Sequence, residues 1–196
     1  MSHIQAVDGI FHCVRAFDND EIVHVDDSID ALRDLETIQA ELCKKDIQYV
    51  LTQKDKRIKD VKKDPTMKLP ALFFSVMDKI IALLEENKPI IAGDWTSPEV
   101  EKINELIPNA ITTKPVVYLA NLSKKAFVNK GSKWLEPMMK WIKAHGGGVL
   151  IPMSVEWEQE FWALRGDAAE EKTARDAFLK SSNGAKSVLP RIVKGT

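Results

Sequence analysis

Hydrophobic positions along this chain fall into two kinds of pattern. Three short apolar runs, "GIFHCVRAF" (Gly9–Phe17), "PVVYLAN" (Pro115–Asn121) and "GVLIPMS" (Gly148–Ser154), are more continuous than alternating. Runs of this kind predict parallel strands covered on both faces. Between them, apolar residues recur at helical spacing. They occur at Leu35, Ile38 and Leu42, then Val50 and Leu51, then Ile58 and Val61. After "DPTMKLP" the set is Leu72, Phe73, Val76, Met77, Ile80, Ile81, Leu83 and Leu84. Strands separated by helical patterns predict an α/β fold.

The first and second runs lie too far apart for one crossover helix. The spacing predicts a crossover that carries an insertion of two antiparallel helices joined by a basic tip. Pro65 and Pro70 bracket the turn, and Pro70 suits the first turn of the second helix. The chain then divides into 1–33, a helical insertion over 34–93, and 94–196. A return helix is predicted at "WTSPEVEKINELI", where Thr96 and Glu99 make a capping box and Ser97 before Pro98 is the alternative cap. Another is predicted in "SKWLEPMMKWIKAHGG". Ser132 can cap its start, Lys143 and His145 suit its negative end, and Gly146 supplies a left-handed stop. Pro137 should kink this helix unless it lies in the first turn.

With 196 residues, 44% hydrophobic and 29% charged, the chain can bury an ordinary globular core. Its apolar runs are too short to span a bilayer, and the start lacks the basic and apolar regions of a secretory signal. Cys13 and Cys43 have no metal-like spacing, which predicts buried free thiols in a reducing cytosol. A net charge of −1 gives no global nucleic-acid footprint. Charge is nevertheless segregated: Asp18–Glu36 is acidic and Lys54–Lys68 is basic. The basic tip could touch RNA phosphates, sequence-blind for want of interleaved aromatics, or could simply be solvated.

Chemistry-bearing motifs are few. No G-x-x-x-x-G-K-[ST] string occurs, and Gly184-Ala185-Lys186-Ser187 lacks its upstream glycine. Gly146–Gly148 precedes a strand, which predicts a helix stop and not an anion loop. His12 reads as a core residue, His145 as a helix-end residue, and His3 lies near the start. His24 sits in the acidic segment "DNDEIVHVDD", where carboxylates could orient it, or where it could be an exposed loop histidine. No metal-ligand spacing is present. Asn121 ends the second run, and the carboxyl end of a parallel strand is both where α/β proteins read ligands and where any strand must turn.

Four strings, taken in order, resemble the Obg-like ATPase family, also called the YchF family. They are "SHIQAVDGIFHCVRAFDNDEIVHVDDSIDALRDLETIQAEL", "KPVVYLANLSKKAFVNKGSKWL", "VLIPMS" and "SVLPRIVKG". The resemblance implies part of a P-loop G domain interrupted by the helical insertion, in a cytoplasmic protein associated with ribosomes. It implies ATP, preferred to GTP and hydrolysed slowly with Mg²⁺. On the family's Asn-x-x-Glu pattern, Asn121 would bond the base edge and Leu122 would contact the purine. Lys124 stands where the family has an acid, and a lysine offers only donors, which turns preference away from guanine. Ser154 matches a second base-side loop, followed here by Val155 and Glu156 in place of small residues. His24 matches a histidine that positions attacking water beside a γ-phosphate. Against the family, this sequence begins after the Mg²⁺-linked Asp-x-x-Gly loop. The P-loop, both switches and the C-terminal TGS module lie outside it. That implies weak or absent nucleotide binding by these residues alone, and an open sheet edge at Gly9–Phe17 prone to self-association.

Overall fold

The computed structural model of the chain describes Ile4, residues 6–17, 30–64, Thr66 and 68–194. These fall into two compact units. One holds Leu35–Pro115 and Ile142–Gly147, with the described part of Met1–Ile10. The other holds Val116–Trp141, with the described parts of Phe11–Asp34 and Gly148–Thr196.

The longest element is α1 (Ala31–Lys63). It starts on Asp30, whose Oδ1 accepts from the amides of Leu32 at 2.9 Å and Arg33 at 3.2 Å. A cap of this type is worth about 1 kcal/mol. The buried stripe of α1 is Ala31, Leu35, Gln39, Cys43, Asp46 and Val50. Apolar spacing alone predicts Ile38 and Leu51 on that stripe, but both are exposed. Two polar residues take the inner positions because each has a partner there. Gln39 Nε2 donates to Cys43 Sγ at 3.2 Å, and Asp46 is described below.

α2 (Ala71–Glu85) begins after Pro70, which is the cap residue and not part of the first turn. It buries Phe73, Val76, Met77, Ile80 and Leu84. A 3₁₀ turn (Ile90–Ala92) and α3 (Ser97–Leu106) follow. The capping box forms as expected: the amide and hydroxyl of Thr96 donate to Glu99 Oε2 at 2.8 and 2.9 Å. These bonds hold the Glu99 carboxyl below its usual pKa. One apolar cluster joins Cys43 and Val50 to the α2 face and to Ile103, Leu106 and Ile107.

Asp46 lies fully buried in this unit. Its carboxylate accepts from Ile111 N at 2.9 Å, and from Thr112 N and Thr112 Oγ1 at 2.7 Å each. Thr112 Oγ1 accepts in turn from Ile90 N at 3.3 Å, and the Thr112 carbonyl accepts from Ile91 N at 3.0 Å. A buried charge is tolerable when its lone pairs are filled in this way.

The second unit is built on a three-stranded parallel sheet of order β1-β2-β3, with β1 (Ile10–Arg15), β2 (Val116–Asn121) and β3 (Val149–Met153). β2 and β3 pair in register from Val117↔Val149 to Asn121↔Met153. The amide of Ala16 donates to the Asn121 carbonyl at 2.8 Å just beyond β1. Contrary to expectation, β1 is not covered on both faces. Phe11 is 46% exposed and Cys13 is exposed, while Val14 and Ala16 are buried. Phe11 and Cys13 share one face of the pleat, so they are exposed together. Cys43 is buried as predicted; Cys13 is not. His12 lies against the Tyr118 ring at 5.7 Å. Burial lowers its pKa, with the Asp34 carboxylate opposing.

After β2 comes α4 (Lys124–Val128), with the Ser123 hydroxyl accepting from Ala126 N at 3.3 Å. In α5 (Leu135–Ala144), Pro137 occupies the first turn, where its missing N–H removes no helical bond. The helix stops at Gly146, at φ +96°. At Gly148, φ is +135° and a Cβ would stand 2.7 Å from the Val116 carbonyl oxygen. The triple glycine is thus a helix stop and a strand entry. Beyond β3 lie α6 (Val155–Ala163), α7 (Ala168–Ser181) and α8 (Leu189–Lys194). Trp157 of α6 is fully buried, stacked on Phe161 at 5.1 Å, with Phe178 and Phe127 at 5.4 and 5.5 Å. Among the described residues no helix is long and apolar enough to cross a membrane.

Replacing Asp46 by alanine strips three donors of their acceptor in a buried place. At about 1–3 kcal/mol for each stranded group, relaxation included, Asp46→Ala should cost roughly 3 kcal/mol or more of unfolding free energy in a urea titration. A loss below about 1 kcal/mol would mean that the loop at Ile111–Thr112 finds other acceptors.

Candidate functional site

The polar groups of the sheet unit converge at the carboxyl ends of β2 and β3. Asn121 is the last residue of β2, and its Oδ1 accepts from the backbone amide of Val155 at 3.1 Å. Val155 N–H can only donate, so this bond sets the orientation of the side-chain amide. The oxygen is committed to the protein, and Nδ2 keeps two donor hydrogens. One residue on, Leu122 N donates to the Met153 carbonyl at 2.8 Å. The two strand ends are therefore tied by one backbone and one side-chain bond.

Ser154 is fully buried, and its hydroxyl accepts from Trp157 N at 3.4 Å as the cap of α6. It shapes the turn after β3; its oxygen is already engaged. Leu122 is 2% exposed and lines a cavity with Phe127. Asn121 and Ser154 are thus brought together at neighbouring strand ends, and neither of them lines that cavity. His24 lies outside the described residues.

Lys124 is held more tightly than its sequence suggests. Its ammonium pairs with Glu160 of α6 and sits 5.5 Å from the centre of the Phe178 ring. Its amide donates to Glu156 Oε2 at 3.3 Å. Glu156 and Glu160 are four apart, so one face of α6 presents both carboxylates to the start of α4. That spacing is visible in "EWEQE", but nothing in the sequence says what the face meets. Glu158, between them, is buried and accepts from Trp162 Nε1 at 2.9 Å and Val188 N at 2.7 Å. Among the described residues, no group of three or more His, Cys, Asp or Glu side chains is placed to hold a metal ion. What the strand ends offer is recognition. Asn121 Nδ2 can donate to a ring nitrogen or carbonyl, on a frame that β3 and α6 keep rigid.

The chain is 40% identical over 194 residues to Obg-like ATPase 1 of Oryza sativa subsp. indica, covering 99% of this chain and 47% of that protein. It is 37% identical over 197 residues to Obg-like ATPase 1 of Homo sapiens, covering 99% of this chain and 47% of that protein. The solved structure of the Schizosaccharomyces pombe YchF GTPase aligns with a TM-score of 0.74 at 35% identity, over 98% of this chain and 50% of that one. The chain is a homologue of the Obg-like ATPase (YchF) family. No family model matches it. It spans about half the length of the curated Obg-like relatives it matches.

The bond from Val155 makes Asn121 a structural residue as well as a candidate reader of ligand. Asn121→Ala should lower the unfolding free energy by about 1 kcal/mol. Asn121→Asp keeps an oxygen acceptor and should stay within about 0.5 kcal/mol of the unchanged protein. Equal losses in the two variants, read by denaturant titration, would refute the assignment of Oδ1 to Val155.

Proposed function

We propose that Asn121 reads the base of a purine nucleotide, in a protein that shares the Obg-like reaction: ATP preferred to GTP and hydrolysed slowly with Mg²⁺. The observation that carries this reading is the Asn121–Val155 hydrogen bond. It leaves a rigid amide donor at the carboxyl end of the central strand, where a parallel sheet presents ligand-reading groups. The names of the relatives point both ways, since one is an ATPase and the other a GTPase. Lys124 decides between the bases. Guanine presents N–H groups that need an acceptor, whereas Lys124 has only donors and is occupied by Glu160. Ser154 acts by fixing the turn through its cap, and Leu122 contributes its backbone. His24 positions water beside the γ-phosphate. The helical insertion runs over 34–93 as an antiparallel hairpin, between the sheet segments 1–33 and 94–196, and the protein works in the cytoplasm.

Phosphates and Mg²⁺ normally supply most of the affinity in such sites. The 196 residues hold base-side contacts, each worth about 1 kcal/mol net, which limits nucleotide affinity to roughly the millimolar range. Titration of this polypeptide with ATP and GTP, followed by calorimetry, should show millimolar ATP binding, weaker GTP binding, and loss of both in Asn121→Asp. Preference for GTP would refute the role of Lys124. Micromolar, Mg²⁺-dependent binding would refute the limit on affinity.

A second reading rests on α1. Lys56, Lys59, Lys62 and Lys63 are exposed near its carboxyl end, whereas Lys54 is paired with Asp78 at 2.5 Å. A row of exposed cations suits ribosomal RNA, and an exposed β1 face suits a second copy of the chain. RNA binding should weaken steeply between 50 and 200 mM salt, roughly as the number of phosphates contacted, and should vanish in Lys62→Glu/Lys63→Glu. Salt-independent binding would exclude the RNA contact, and a monomer in sedimentation of the free chain would exclude pairing through β1.

A further inference from the structure

The cavity of the sheet unit that Leu122 and Phe127 line has a volume of about 480 Å³. Its apolar lining includes Leu122 at the end of β2, Phe127 of α4, and Val188 before α8. Three cations complete it: Lys130, Lys186 and Arg191. Among the described residues no carboxylate lines it. All three cations are exposed, and none has an ion pair among the described residues. Elsewhere in the same unit Lys124, Lys140 and Arg175 each carry a glutamate partner.

The two lips of the cavity are turned by residues in the left-handed region. Lys130 has φ +53° although the next residue is a glycine, and Asn183 and Gly184 have φ +50° and +68°. Lys130 is held there by the end of α4, with Lys130 N donating to Phe127 O at 3.2 Å and Gly131 N to Ala126 O at 3.1 Å. A lysine in a conformation that favours glycine is costly unless the surrounding bonds impose it. Here those bonds set the backbone from which the Lys130 side chain reaches the cavity. One wall is also rigid, because the Phe127 ring packs 5.5 Å from the buried Trp157.

We propose that this cavity binds a small amphiphilic anion: a carboxylate, sulfonate or phosphate head on an aromatic or acyl body. Its volume falls within the range of small-molecule sites. The apolar lining takes the body, and Lys130, Lys186 and Arg191 take the head, with Arg191 able to grip two oxygens at once. Leu122 borders both sites, but neither Asn121 nor Ser154 lines the cavity, so its anion head is held by residues that the proposed base site does not use.

The test uses two fluorescent probes of similar body and different charge, the anion 8-anilinonaphthalene-1-sulfonate and the uncharged N-phenyl-1-naphthylamine. The anilinonaphthalene sulfonate should bind saturably. In Lys186→Gln/Arg191→Gln its affinity should fall at least 10-fold, while the uncharged probe binds as before and circular dichroism is unchanged. Asn121→Asp should leave both probes unaffected, and millimolar adenosine, which has a base but no anionic head, should not displace the anion. Equal affinity for the anionic probe in the double variant, or no saturable binding, would overturn the proposal. Displacement by adenosine would overturn it too, because the cavity would then be part of the base site.

Discussion

The sheet unit is governed by one constraint: β2 is hydrogen-bonded along both edges. A strand in that position has its backbone donors and acceptors consumed by its neighbours, so it has little main chain to offer a ligand. Its interior side chains, Tyr118 and Ala120, are buried. Polar chemistry can emerge only where pairing stops, and that place is Asn121. There the side chain takes over from the ladder, bonding Val155 two residues beyond the last paired residue of β3. The same bond that ends the strand also creates the candidate reader of ligand.

The helical unit solves a different problem with a buried charge. α1 runs 33 residues and touches its unit through a narrow stripe. An all-apolar stripe would fasten the helix without specifying what stands opposite. Asp46 does specify it, because three donors at Ile111 and Thr112 must meet one carboxylate. The sequence separation is about 65 residues, so the contact contributes nothing to α1 as an isolated helix and forms only with the tertiary fold.

Lys124 illustrates how an unfavourably placed cation is absorbed. It stands at the start of α4, where the backbone dipole disfavours a positive charge. Glu160 and Glu156 meet that cation and the adjacent amide, and the Phe178 ring lies close to the ammonium. Both of these carboxylates of α6 are thus turned toward Lys124.

Much of this was legible in the chain itself. The three strands, the capping box at Thr96, the glycine stop after α5 and the place of Asn121 all follow from local periodicity and turn chemistry, which act over a few residues. The resemblance to Obg-like ATPases was equally legible in short ordered strings, and the comparisons with solved and curated relatives agree with it. What local pattern could not reveal is which face of an element is covered. Cys13 and Phe11 looked buried and are exposed, and nothing in the apolar spacing marked the polar Gln39 and Asp46 as buried. Nor could it reveal that Leu122 lines a cavity with Phe127, or that Glu160 meets Lys124. Hydrophobic spacing depends on one element at a time, whereas burial of a polar group depends on whether a distant segment arrives with the matching donor or acceptor. Only the tertiary structure decides that.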